Sequence, residues 1–399
     1  MYPTVQFRRL ARIRNGTDHS GVQDDHGDFP VYGSGGEFTR ATRALYSGPA
    51  VLLGRKGTID KPILVDGEFW TVDTMFCAQP YSAVDPRFLY YACTTIPFNM
   101  LSTSTALPSM TQGDLNAVRL PDPNYEVQKA IADFLDRETA KIDVLIARQK
   151  HLIATLREDR AATITQAVTK GLNPDVEMKD SGIVWLDYVP QHWVPCRLKN
   201  AITSITSGTS VNGADVPATS EEVGVLKTSC VSAGQFIPEA NKTVVGEDLS
   251  RVSCPVTAGT LVVNRANTPS LVGSAGYVSD ARRNLYLSDK LWQVSFTSAL
   301  AEFLYHWTRT AVYRSQIVAN CVGASSSMQN LSMTDFRNIA IALPPIAEQQ
   351  AIVEFLSGRI SRSDALIAKS TEMIKTLREY RSALITDAVT GKIDVGAAT

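Results

Sequence analysis

Two short polar strings stand in equivalent settings. Gly54-Arg55-Lys56-Gly57-Thr58 follows the β-forming Val51-Leu52-Leu53, and Asn264-Arg265-Ala266-Asn267-Thr268 follows Leu261-Val262-Val263. Such side chains read base edges and hold phosphates: an arginine fork matches guanine or a phosphate, and an asparagine amide matches adenine. One such loop is an ordinary solvated turn; its recurrence is the informative part. The same residue types occur at Ser34-Gly35-Gly36, Arg40, Arg43 and Gln112, and again at Thr209-Ser210, Arg282-Arg283 and Gln329-Asn330. Arg8, Arg9, Arg12 and Arg14 crowd the start. The candidate nucleic-acid contacts are thus Ser34, Gly35, Arg40, Arg43, Arg55, Lys56, Thr58 and Gln112 in the first half. In the second half they are Thr209, Ser210, Asn264, Arg265, Asn267, Arg282, Arg283 and Gln329. Part of this set is expected to be ordinary surface charge.

Catalytic patterns are missing. The chain has no GxxxxGK[ST], GxGxxG, HExxH or GxSxG string and no Asn-Pro-Pro-aromatic motif. Pro174-Asp175-Val176-Glu177-Met178-Lys179 superficially resembles a metal-dependent nuclease signature. Such sites need the two acids on separate strands, whereas here one residue separates them in an expected linker. The cysteines Cys77, Cys93, Cys196, Cys230, Cys254 and Cys321 are scattered, with no CxxC pair, and read as reduced thiols. No metal site is expected. Thirty-nine Lys and Arg against 40 Asp and Glu give a net charge of -1, so any DNA binding must come from local patches. No apolar run approaches the ~18 residues of a membrane span, and no signal peptide opens the chain. A cytoplasmic protein is expected.

The elements that must position these loops come in two copies. Gln128 to Thr169 aligns without gaps on Gln349 to Thr390, with 21 identities in 42 positions. Thr155-Leu156-Arg157-Glu158 matches Thr376-Leu377-Arg378-Glu379, and weaker echoes precede in the same order: Gly16-Thr17 with Gly208-Thr209, Arg55 with Arg265, Phe88-Leu89-Tyr90 with Phe303-Leu304-Tyr305. The chain is two half-chains of one design, each an irregular module followed by a better-preserved tail. A duplication that keeps one part and lets the other drift suggests a common scaffold carrying two specificities.

Apolar residues in the first tail, among them Ile131, Phe134, Leu135, Ile142, Ile146, Ile164 and Val168, recur at helical spacing in one stripe, and no proline interrupts them. Pro123 stands before the start and Gly171 just past the end. The second tail repeats the stripe, with Gly358 as its weak point. A helix of about 45 residues would be about 65 Å long at ~1.5 Å per residue and needs a partner. The other tail, antiparallel beside it, is the simplest one; a hairpin within each tail is the alternative. The modules read as mixed α/β. Ile63 to Trp70, with Asp66-Gly67 in the middle, predicts a β-hairpin, and Asp85-Pro86 predicts a helix start. Between the halves lies a linker that Trp185 and Trp193 are expected to pin.

The chain resembles the specificity subunit of type I restriction-modification enzymes over its whole length. The resemblance is carried by Leu343-Pro344-Pro345-Ile346-Ala347-Glu348-Gln349 with the helix ending Ala388-Val389-Thr390-Gly391-Lys392-Ile393. It is also carried by the central Met178-Lys179-Asp180-Ser181-Gly182-Ile183 through Trp185-Leu186 to Pro190-Gln191-His192-Trp193, and by the duplication. Asp187-Tyr188 departs from the family pattern, where a glycine and an acidic residue are usual.

The resemblance implies an α+β protein in which two mixed α/β target-recognition domains alternate with two long conserved helices paired as an antiparallel coiled coil. The corresponding boundaries are 1–120 and 200–342 for the recognition domains, 121–171 and 343–399 for the helical spacers, and 172–199 for the linker. It further implies a non-catalytic reader of double-stranded DNA. Each domain would take one half of a bipartite asymmetric site, and the helices would set the gap and dock two methyltransferase subunits. Those partners would bring S-adenosylmethionine and methylate adenine N6. Restriction and translocase subunits, using ATP and magnesium, would cleave, all in a prokaryotic cytoplasm. The competing readings are the recognition subunit of a related type II methylase-nuclease and a protein-protein adaptor.

Overall fold

The computed structural model describes residues 1–101, 109–325 and 328–395. It divides the chain into two compact units, Met1–Leu152 with Lys369–Thr399, and Ile153–Ala368.

In the first unit a four-stranded sheet runs in the order Ala11–Asn15, Met75–Pro80, Ala50–Gly54, Ile63–Val65. A second sheet, in the order Gly36–Ala41, Phe29–Gly33, Glu68–Thr71, Tyr46–Ser47, stacks on it and contains one parallel pair. Ala50, Leu52 and Cys77 from one sheet meet Val31, Phe69 and Trp70 from the other in a dry interlayer. The opposite face of the first sheet presents Val51, Leu53 and Phe76 to the helix Pro86–Thr94, whose Phe88, Leu89 and Ala92 are buried. Strand alternation separates the two cores, since Val51 and Leu52 must point opposite ways. Asp85 caps that helix as expected, its carboxylate accepting from the Arg87 and Phe88 N–H groups.

The second unit repeats the plan. The sheet order is Ile202–Ser207, Leu291–Phe296, Thr260–Asn264, Ala275–Val278, and a second sheet of Gly213–Ala214, Asn241–Val244, Gly224–Leu226 and Leu285–Tyr286 again has one parallel pair. Leu226 and Leu285 meet Val262 and Leu291 between the layers. Leu261, Val263 and Trp292 face the helices Ala301–Trp307 and Ala311–Asn320.

Each tail is one continuous helix, Tyr125–Lys170 and Ile346–Thr390, so the hairpin alternative fails and Gly358 is carried through. Asn124 accepts from the Val127 N–H at the first start, and Gly171 and Gly391 close the ends at φ +80° and +73°, left-handed conformations that glycine adopts at least cost. In the first unit Ile131 and Leu135 pack with Ile385 and Val389. In the second unit Ile164 and Val168 pack with Ile352 and Leu356. Within each unit the start of one helix therefore meets the end of the other, the antiparallel arrangement. Asp143 with Arg381 in the first unit, and Asp159 with Arg359 in the second, bridge the pair at its edge.

Two sequence expectations need correction. Ile63–Val65 and Glu68–Thr71 do not pair with each other: the first is an edge strand beside Ala50–Gly54, the second an inner strand of the stacked sheet. Asp66-Gly67 is a crossing between layers, with the Gly67 carbonyl taken by the Gly48 N–H. Trp193 is fully buried and pins the linker as expected, whereas Trp185 is 40% exposed.

Candidate nucleic-acid interface

The two arginine loops are built identically. Arg55 leaves the last residue of Ala50–Gly54, and its N–H donates to the Thr74 carbonyl while its own carbonyl accepts from Met110. Arg265 leaves the last residue of Thr260–Asn264, donating to the Lys290 carbonyl and accepting from Leu331. Thr74 and Lys290 each precede the central strand of their sheet; Met110 and Leu331 each precede a capped short helix, Gln112–Ala117 or Met333–Asn338. The main chain of each arginine is thus clamped on both sides, and the Arg55 side chain also donates to the Asp73 carbonyl at 3.4 Å.

Sheet register supplies an aromatic floor for both. Leu53 faces Phe76 and Val263 faces Trp292 across antiparallel pairs. The Arg55 guanidinium lies 6.0 Å from the Phe76 ring centre, and that of Arg265 lies 6.0 Å from the Trp292 ring centre. A cation on an aromatic face gains about 0.5–2 kcal/mol and loses rotamer freedom in advance of binding. Both arginines are half-buried. The rings are contacts that the sequence did not single out, since nothing local ties Phe76 or Trp292 to an arginine more than twenty residues away.

Several predicted residues gather around these arginines. Lys56 is exposed and bridges backbone to backbone with Ser109, and a side chain at Gly57 would meet the hydroxyl of Ser34, in the turn after Phe29–Gly33. Thr58 is half-buried and Gly35 is the exposed tip of that turn. In the second unit Asn267 stands opposite Gln329, and Ala266 opposite Asn330. Asn264 is fully buried, its side-chain carbonyl accepting from the Ala266 N–H at 3.4 Å while Nδ2 has no partner. It shapes the loop and offers no surface.

Several other predicted residues make contacts within their own module. Arg40 donates to the Gly27 and Asp28 carbonyls at 2.5 and 2.6 Å and pairs with Glu37. Gln112 donates to the Ile13 carbonyl at 2.9 Å. Thr209 shares a hydrogen bond with Ser253 at 2.6 Å, and the Ser210 carbonyl accepts from Arg251. Arg251 also pairs with Asp248, whose carboxyl is held below its ordinary range first by the Asn212 N–H and then by that pair. Arg282 pairs with Glu239 while Arg283 is exposed beside it, and Arg43 lies exposed, 5.8 Å from the Trp70 ring centre.

Asp175 and Glu177 are exposed in the linker, and among the described residues no group of His, Cys, Asp and Glu is placed to hold a metal ion. All six cysteines are free, with the Cys77 thiol pushed up to about 12 by burial. No helix among the described residues is long and apolar enough to cross a membrane.

Each module is locked to its helix by the same side chain. The Gln128 side-chain carbonyl accepts from the Asp85 N–H at 2.9 Å while its amide donates to the Pro123 carbonyl at 2.8 Å. Gln349 does the same with the Leu300 N–H at 2.8 Å and the Pro344 carbonyl at 2.9 Å. Both glutamines are essentially inaccessible, so each hydrogen bond is made in a low-dielectric interior where leaving it unmade is costly.

Residues 8–153 and 212–376 match the family described as Type I restriction modification DNA specificity domain. The type I restriction enzyme EcoKI specificity subunit of Escherichia coli strain K12 is 31% identical over 302 residues, 73% of this chain and 61% of that one. The EcoEI specificity subunit of Escherichia coli is 28% identical over 203 residues, 50% and 34%. This chain therefore spans less than two thirds of the length of either relative. A solved chain described with the complex assembly and conformational transition of the type I R-M system matches at a TM-score of 0.70 and 15% identity, over 98% of both chains. At that identity the likeness is one of fold.

Proposed function

The chain belongs to the family of type I restriction modification DNA specificity domains, and from that premise we propose that it is the sequence-reading, non-catalytic subunit of a restriction-modification complex. Each α/β module reads one half of a bipartite, asymmetric site in double-stranded DNA. The paired helices hold the two readers, set the unspecified gap and dock two methyltransferase subunits. Those subunits bring S-adenosylmethionine and methylate adenine N6, a reaction that requires the base to leave the stack. Restriction and translocase subunits add ATP- and magnesium-dependent cleavage, in the prokaryotic cytoplasm. The recognition domains of this proposal are residues 1–120 and 200–342, the helical spacers 121–171 and 343–399, and the linker 172–199.

One observation carries the reading. Arg55 and Arg265 keep the same backbone clamp and the same aromatic floor in two modules whose surrounding side chains have diverged. A preserved frame around varied contacts is what two readers of different sequences require. Lys56, Thr58, Ser34 and Gly35 stand beside Arg55; Asn267 and Gln329 stand beside Arg265, and Arg43 and Arg283 are further exposed donors.

The test uses the assembled methyltransferase complex with Arg55→Ala or Arg265→Ala. A bidentate arginine contact discriminates by ~1–3 kcal/mol, so each variant should lower specific methylation about fivefold or more. Arg55→Ala should relax one half of the motif and Arg265→Ala the other. Two variants that relax the same half, or leave the motif intact, would sink the proposal.

A further inference from the structure

The duplication kept one feature that neither packing nor base reading explains. Arg157-Glu158-Asp159-Arg160 on the first long helix recurs as Arg378-Glu379-Tyr380-Arg381 on the second, and in each copy both arginines line a hollow between helix and module. In the second unit the hollow is about 190 Å³, with Arg309 of the module opposite and Ile164 at its floor. In the first unit it is about 400 Å³, with Lys61 of the module opposite and Ile385 at its floor.

The inner arginine of each copy is accounted for. Arg160 pairs with Asp364, and Arg381 pairs with Asp143 at 3.1 Å, aspartates that are themselves equivalent in the repeat. The outer arginines, Arg157 and Arg378, are exposed and have no ion-pair or hydrogen-bond partner among the described residues. The local charge does not balance. Arg157, Arg160 and Arg309 face one aspartate in the second unit; Arg378, Arg381 and Lys61 face Asp143 and Asp60 in the first. Each hollow thus holds one more cation than anion at least. Behind the second, Arg160 Nε is buried without a partner, and so is Nδ1 of His306, a ring held neutral by burial and by the nearby Arg309 and Arg160 charges.

A buried unpaired guanidinium N–H is a donor waiting for an acceptor, and the arginine fork matches a carboxylate or phosphate. The lining decides between them. The isoleucine in each lining favours a side chain that carries methylenes behind its carboxylate over a bare phosphate. The repeat decides the number. What stayed the same in both copies touches something that is the same on both sides.

We propose that the two hollows are sockets, each taking one acidic side chain from one of two identical partner subunits. This deepens the reading above, in which two methyltransferase subunits dock on the helices, and rests on it. The shared arginines give both partners the same grip, while the differing third cation, Lys61 or Arg309, makes the grips unequal.

The test is the stoichiometry, by native mass spectrometry, of the full chain co-expressed with the methyltransferase subunit of its host's type I system. The wild-type chain should carry two methyltransferases. Arg157→Glu and Arg378→Glu, at exposed positions where circular dichroism should show an unchanged fold, should each carry one, with the second bound at least about a hundredfold more weakly. Arg157→Lys, which keeps the charge and loses the fork, should fall between. Full occupancy in both charge-reversed variants would overturn the sockets alone. Full occupancy with weakened DNA binding would also overturn them, by making the arginines phosphate contacts. A wild-type chain that binds no methyltransferase would overturn the docking reading itself.

Discussion

At the scale of single residues, Gln128 and Gln349 fix each module to its long helix. Each satisfies one backbone N–H and one carbonyl in the dry seam between module and helix, so a module cannot rock without breaking both. Gln349→Leu leaves the Leu300 N–H and the Pro344 carbonyl unpaired at ~1–3 kcal/mol each, and should cost about 2–5 kcal/mol in urea unfolding. A loss below about 1 kcal/mol would show that the seam is held by packing alone. His306 gives a pH signature. Burial and the Arg309 and Arg160 charges lower its pKa from 6.5 to about 4, so the unfolded chain binds the proton first. The stability of the neutral ring is intact above pH 6.5 and is lost as pH falls from 6.5 toward 4, up to about 3 kcal/mol in all. His306→Phe should remove that part of the acid slope, seen as a smaller drop in urea midpoint between pH 7 and 4.5. An undiminished slope would contradict the buried neutral ring. Little of this was legible beforehand. Gln128 and Gln349 open the aligned repeat, but a glutamine at a helix start has no chemistry to flag it. Asp187 is the reverse case: noted in the sequence as a departure from the pattern of the family it resembles, it lies at φ +47°, a left-handed conformation that short polar side chains tolerate best after glycine.

At the scale of elements, the helices owe their pairing to the apolar stripe. Ile352 and Leu356 in the second unit, and Ile131 and Leu135 in the first, are fully buried, whereas the bridging aspartates Asp143, Asp159 and Asp364 are each more than half exposed. Leu356→Ala should cost about 2–5 kcal/mol, and Asp143→Asn less than about 1 kcal/mol. Comparable losses, measured by chemical denaturation, would mean the ion pairs hold the helices. These elements were readable because their determinants are local: the stripe recurs every three to four residues, and proline, asparagine and glycine mark the ends. The strand segments were readable for the same reason, but their pairing was not. Ile63 to Trp70 carries every local mark of a hairpin, yet its halves join different sheets because Phe69 and Trp70 are buried against Val31 and Ala41, some thirty to forty residues away. Sheet partners are chosen by long-range burial, which no window of sequence contains.

At the scale of the whole chain, duplication organises function. Half of the aligned tail positions stay identical, and each unit repeats the strand order of the sheet that carries its arginine, the same glutamine lock and the same arginine clamp. The candidate site was legible to the extent that it is repeated: Arg55 and Arg265 stood out as a pair, and the structure gathers Lys56, Asn267 and Gln329 around them. It was not legible where one polar residue looks like another; Arg40 and Gln112 resemble ligand-seeking side chains in sequence, and in the fold both donate to backbone carbonyls of their own module. A net charge of -1 fits the proposed role, in which partner subunits would share the contact with the duplex. The most direct test of the central claim is to co-express the chain with the neighbouring methyltransferase in a host lacking adenine methylation and to map methylated adenines by long-read sequencing. Two readers held at a set distance predict one asymmetric motif, two short specified halves separated by a gap of constant length. A continuous motif, halves at variable spacing, or no methylation from a stable complex would contradict it.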